Sequence, residues 1–310
     1  MSEQQRKRGD RRDAKLARDL DSMHVFMPFL LPKRTDNEAV MNEVIDLTSV
    51  LEYIERKNAA NPAYKYTIFQ VICAALAKTI YLRPKMNRFI SGHRTYDRND
   101  LSFSFVVKKK FIDDAYESLA ILKMDQESDA SPISQFHDKL QDIVYNVRIH
   151  EKQDSTTDVM DVFKKLPRCV TRLAVGILNV LDYYGKVPAS LSKSDPYNST
   201  VFITNLGSIK MNASYHHLVN WGTNSFFVVV SEKYRRPYFK EDGTYELRDA
   251  LDLGLTVDER IADGLYFAGS VRLLRRLLNE PELLELPLSA PVDYEIKLST
   301  HEYAATAQVR

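Results

Sequence analysis

Leu255-Thr-Val-Asp-Glu-Arg-Ile-Ala-Asp-Gly264 is the stretch on which the fold turns. Upstream of it, Leu251-Asp-Leu-Gly-Leu-Thr-Val257 alternates apolar and polar residues, as a strand does. Downstream, Leu265 to Leu278 has helical spacing, and Asp263-Gly264 has the composition of a helix N-cap. Two further strands are predicted nearby, Thr200–Thr204 and Ser225–Val230, with Asp242-Gly243 as the hairpin turn between the last two of the three strands.

Earlier in the chain, Asn42–Leu47 predicts a strand leading into a helix that begins at Thr48-Ser49. Residues Thr67–Leu82 place Ile68, Val71, Ile72, Ala75, Leu76 and Thr79 at helical spacing, and Arg83-Pro84 stops the run. Asn87–Ile90 is read as leading outward, Ser102–Val107 as a strand, Ser131 to His150 as a helix opened by Pro132, and about Thr171–Tyr184 as another helix. The order of elements predicts an α+β architecture around one mixed β-sheet flanked by helices. Three parts are expected: a charged N-terminal arm at 1–22, solvated or lying as a helix on a neighbour, one domain at 23–295, and a tail at 296–310.

The chain has 310 residues, 44% hydrophobic and 27% charged, enough for a full core. Its 43 Lys+Arg against 42 Asp+Glu leave a net charge of +1, which argues against a dedicated nucleic-acid binder. No apolar run approaches the roughly 18 residues of a membrane span, so a cytoplasmic protein without a membrane partner is expected. Cys73 and Cys169 each lie in an apolar stretch and are expected to be buried free thiols. Clustered metal-ligand spacings and Gly-rich phosphate cradles are absent, so no metal is expected.

Four segments, in order, resemble the chloramphenicol acetyltransferase-like superfamily, which includes the catalytic domain of dihydrolipoyl acyltransferases. They are Glu43-Val-Ile-Asp46-Leu-Thr48, Thr67 through Asn87 with its Pro-x-x-Asn turn, Thr200-Val-Phe-Ile-Thr-Asn-Leu-Gly207, and the 255–264 segment. The family pattern in the last is strand, His-x-x-x-Asp-Gly, helix. The resemblance implies that fold, a homotrimer with each active site between two subunits, coenzyme A as the carrier of the acyl group, and a small-molecule acceptor. The family's lipoyl-type Asp-Lys-Ala segment and Ala/Pro linker are not found, so a stand-alone trimer is expected.

The sequence departs from the pattern at the centre of the chemistry, for Glu259 stands where the family carries its catalytic His. That His removes a thiol proton, whereas an ordinary carboxylate is a poorer match by about two pKa units, or roughly 3 kcal/mol. A dry environment closes such a gap. Glu259 is therefore either a desolvated base or an inert replacement in a ligand-binding or scaffold protein. Asp263 and Gly264 are retained, and in the family the Asp holds the loop through an arginine; Arg11, Arg12 and Arg18 are candidates. Thr204, with Asn205 beside it, takes the place of the oxyanion-stabilising Ser or Thr. His216 and His217, read as neighbours on a strand facing opposite ways, are the replacement candidates for the base. Trp221 and Tyr215 are candidate walls of the acceptor pocket. His24, His93, His137, His150 and His301 are expected at the surface.

Overall fold

A computed structural model describes residues 6–108, 117–149, 165–188, 191–192 and 195–294. His150, His301 and the expected tail at 296–310 lie outside the described residues.

The main sheet has seven strands: β2 (Glu38–Asp46), β5 (Leu101–Lys108), β6 (Glu117–Met124), β7 (Val201–Asn205), β8 (Phe226–Val230), β9 (Tyr234–Phe239) and β10 (Tyr245–Asp258). Their order is β2-β10-β8-β7-β5-β6, with β9 also paired to β10. β7 is parallel to β5 and β8, and the remaining pairs are antiparallel, so the sheet is mixed as expected. The 242–243 turn joins β9 to β10, a strand of 14 residues whose first half pairs with β9 and whose second half pairs with β8.

One face of this sheet is covered by α2 (Thr48–Ala59), α3 (Ile68–Leu82), α4 (Pro132–Ile149) and α6 (Gly264–Asn279). The alternation in β8 divides the two faces. Phe226, Val228 and Val230 enter the large core with Leu253, Leu255 and Val257, whereas Phe227 and Val229 join Phe202 and Leu218 in a smaller cluster on the opposite face. Helix α3 is the central column. Thr67 and Gln70 form a reciprocal capping box at its start, and its residues from Gln70 to Ile80 are buried.

A second sheet of three strands, β1 (Ala14–Leu16), β4 (Arg94–Arg98) and β3 (Arg88–Ser91), corrects the expectation of a single sheet. Among the described residues it also corrects the reading of this segment, from residue 6 on, as a solvated or helical arm. Ala14 is buried against Phe89 and Tyr96, and Arg11 is accommodated because its guanidinium binds Asp13 and Asp182 and lies over the Phe89 ring. Residues 88–91 likewise turn inward as β3. Helix α1 (Ser22–Leu30), N-capped by Asp21, follows and touches β4 and the turn at 259–261.

Other expectations also fail. Cys73 is buried but Cys169 is exposed, because α5 (Arg168–Tyr183) buries none of its residues. His137 is 8% exposed, stacked on Tyr66 and bonded to the Tyr64 carbonyl.

Lys78 in α3 is fully buried, and its ammonium donates to the Leu283 and Leu286 carbonyls. Burial lowers it to about 8 from the usual 10.5. The folded chain then holds fewer protons than the unfolded chain between those values, so stability rises with pH across that window. The urea midpoint, measured relative to that of Lys78→Met, is expected to climb from about pH 8 to about pH 10. A flat difference would show that the ammonium is not held in a desolvated site.

Candidate active site on the outer sheet face

Thr204 lies near the end of β7, half-buried, and its hydroxyl has no hydrogen-bond partner among the described residues. Strand alternation puts it on the face of Phe202, opposite the large core. In register it pairs with Val229, and Val229 in turn pairs with Gly254 of β10. Asn205 ends the strand, its carbonyl accepting from the Ser208 hydroxyl at 2.7 Å. The next turn crowds Ser231, so that a Cβ on Gly207 would lie 2.5 Å from the Ser231 carbonyl.

Residues 211–219 cross this face without regular structure, which corrects the strand expected around the two histidines. Gly254 makes the crossing possible, since a Cβ there would sit 2.7 Å from the Ser214 carbonyl oxygen. Leu218 fastens the far end, buried, with its N–H donating to Glu38. The His216 ring lies flat on Phe227, centroids 4.1 Å apart and planes within 4°. His216 Nδ1 is 2.9 Å from the His217 carbonyl oxygen. A carbonyl only accepts, so Nδ1 is the donor in this contact, and in the neutral tautomer that makes this bond the lone pair is on Nε2. His217 Nδ1 makes the corresponding contact with the Leu218 carbonyl, also at 2.9 Å. Phe227 is one strand across and two residues back from Thr204, so the His216 ring stands roughly 8 Å from Thr204 along the sheet surface. Tyr215 is exposed. Trp221 is half-buried, and its Nε1 donates to Asp195 at 2.6 Å. Burial raises the Asp195 carboxyl, with the indole N–H opposing.

Glu259 is elsewhere. It follows Asp258 in a short turn and is exposed, and its carboxylate has no hydrogen-bond or ion-pair partner among the described residues. Because β10 runs antiparallel to β8, Asp258 is four residues, or about 13 Å, beyond the Thr204–Val229–Gly254 line. Within one chain the structure does not bring Glu259 to Thr204. Asp263 caps α6 by accepting from the Tyr266 N–H, and this bond, with Lys85 nearby, holds its carboxyl below the usual range. No arginine pairs with it among the described residues. Arg11 binds Asp13 and Asp182, and Arg18 binds Asp10. Nothing lies within 4 Å of a Cβ placed on Gly264.

The carboxylate that does hold arginines is Asp258. Arg260 grips it with two bonds of 2.8 and 2.7 Å, and Arg34 lies 3.7 Å away, all three side chains being buried. Arg260 also donates to the Leu31 and Pro32 carbonyls, and Arg34 donates to those of Val219 and Gly222. This cluster ties the end of β10 to the chain entering β2 and to the end of the histidine-bearing segment. Its sequence signal is the acid and arginine two residues apart at the end of a strand, which the turn at 259–261 folds onto each other.

Residues 188–286 match the family model of the 2-oxoacid dehydrogenases acyltransferase (catalytic domain). No curated protein sequence matches the chain. Among solved structures, the cubic core of the pyruvate dehydrogenase multienzyme complex aligns with a TM-score of 0.56 at 15% identity, covering 88% of this chain and 95% of that one. The Azotobacter vinelandii dihydrolipoamide acetyltransferase gives 0.55 at 16%, covering 87% and 95%. The catalytic core of the Thermoplasma acidophilum 2-oxoacid dehydrogenase complex gives 0.51 at 16%, covering 86% and 98%.

Removing one partner of a buried pair leaves an uncompensated charge, so Arg260→Met is expected to cost about 3–5 kcal/mol in urea unfolding. Glu259→Gln, at an exposed position, should stay within about 0.5 kcal/mol of the parent. Equal losses from both would contradict the assignment of Asp258 and Arg260 as the structural pair. The described chain shares its fold with the cubic core of the pyruvate dehydrogenase multienzyme complex, and its residues 188–286 match the acyltransferase catalytic domain of the 2-oxoacid dehydrogenases.

Proposed function

We propose that the protein transfers an acyl group between a coenzyme A thioester and a small acceptor, with His216 as general base and Thr204 as oxyanion donor. The observation that carries this reading is the His216 ring stacked flat on Phe227, its Nδ1 proton committed to the His217 carbonyl, on the face that bears Thr204. His216 Nε2 would take the proton of the acceptor's thiol or hydroxyl as that group attacks the thioester carbon. The Thr204 hydroxyl would donate to the oxygen on which charge develops. As the intermediate collapses, the carbon–sulfur bond breaks and the imidazolium returns its proton to the departing coenzyme A thiolate. An imidazole suits this exchange with a thiol better than a carboxylate. His217 is the adjacent alternative, and Tyr215 stands beside the pair to border the acceptor.

A second reading follows from the exposure of Glu259 at the opposite end of the strands. In a homotrimer, Glu259 of one copy would meet Thr204 of the next, forming one site from two chains, with Asp263 and Gly264 supporting its loop. The similarity to a multienzyme core supports assembly of this kind. The two readings separate on an acyl-CoA panel assayed for free thiol. The first predicts that His216→Asn and Thr204→Ala each lose about a hundredfold or more, while Glu259→Gln turns over normally. If co-assembled Thr204→Ala and Glu259→Gln chains, each inactive alone, regain roughly a quarter of the activity, the site is shared and Glu259 is the base. No thiol release from any thioester by the parent would leave a non-catalytic binding protein and overturn both.

A further inference from the structure

Helix α5 has no buried residue, and its apolar side chains are arranged on one side. Val170, Leu173, Ile177, Val180 and Tyr184 recur at spacings of three and four, and Leu173 and Tyr184 are 66% and 67% exposed. The helix is joined to the body at its C-terminal end. There Asp182 is held by Arg11 and its carbonyl accepts from Ser91, and the edge of Tyr183 meets His93. His93 also stacks on Phe29 at 4.8 Å, which brings the apolar side of α1 alongside: Met23, Phe26, Phe29 and Leu30 are all more than half exposed. Two helices thus leave a row of large apolar side chains exposed, and they meet through the Tyr183–His93–Phe29 contact.

Its charge is one-sided. From residue 165 to 188 the chain carries Lys165, Arg168, Arg172 and Lys186, all exposed, and a single acid, Asp182, which is paired with Arg11. Helix α1 contains no Asp or Glu. In a protein whose total charge is +1, four exposed cations against one acid over residues 165–188 form a local concentration. Two copies of this surface placed face to face would repel. No helix among the described residues is long and apolar enough to cross a membrane, and α5, with 16 residues, spans about 24 Å. Such a helix lies in the plane of an interface, with apolar side chains among the acyl chains, arginines and lysines at the headgroups and tyrosines at the boundary.

We propose that α5, together with the exposed side of α1, docks this protein on an anionic lipid surface. The test is co-sedimentation of the full chain with vesicles of equal parts phosphatidylcholine and phosphatidylglycerol, against phosphatidylcholine alone. Binding to the anionic vesicles is expected. It should fall about tenfold on the double substitution Arg168→Glu and Arg172→Glu, and also in ~1 M salt. Ile177→Asp and Leu173→Asp should abolish it with the circular dichroism spectrum unchanged. Equal binding by parent and variants, or no binding by the parent, would overturn the proposal. So would a drop in the number of copies per particle, by light scattering, on Ile177→Asp, because the surface would then be an interface between copies of this chain.

Discussion

Strand β10 governs the molecule. It is hydrogen-bonded to β2 along nine residues on one edge and to β9 and then β8 on the other, so its register cannot slip without moving every apolar residue to the wrong face. That register sends Leu253, Leu255 and Val257 into the helix-covered core. It also places Gly254 where the chain bearing His216 must cross, and delivers Asp258 to the two buried arginines. Three features far apart in sequence are thus fixed by one strand.

The same register separates the two ends of the sheet chemically. Toward the C-terminal end of β7 a threonine hydroxyl and an imidazole share a face. At the C-terminal end of β10 a carboxylate stands exposed beside a buried ion-pair cluster. The loop after β10 is held by Asp258 reaching inward, and Asp263 serves as a helix cap.

Much of the fold was legible because its elements carry strong patterns. The helix at 68–82, the strands β5, β7, β8 and the second half of β10, and the helix at 264–279 stand close to where periodicity and capping put them. β1, β4 and β9 were not, since they are short or polar and are strands only because a partner pairs with them. The arm at 1–22 looked solvated because its charges are obvious, whereas the carboxylates that neutralise Arg11 are brought by the fold. At the candidate site, the position of Thr204 near the end of a strand was legible from its motif. The 255–264 segment drew attention to Glu259, but sequence alone could not reveal that strand direction puts Glu259 and Thr204 at opposite ends. Nor could the Phe227 stack beneath His216 be read from the chain, for it depends on a loop crossing a sheet at a glycine.

The central claim, that His216 is the proton acceptor on the face of Thr204, is tested most directly by removing the imidazole and supplying it from solution. Thiol release from an accepted acyl-CoA should collapse in His216→Gly and recover as free imidazole is added, with Glu259→Gln active throughout. Full activity of His216→Gly without imidazole, alongside loss in Glu259→Gln, would contradict the account.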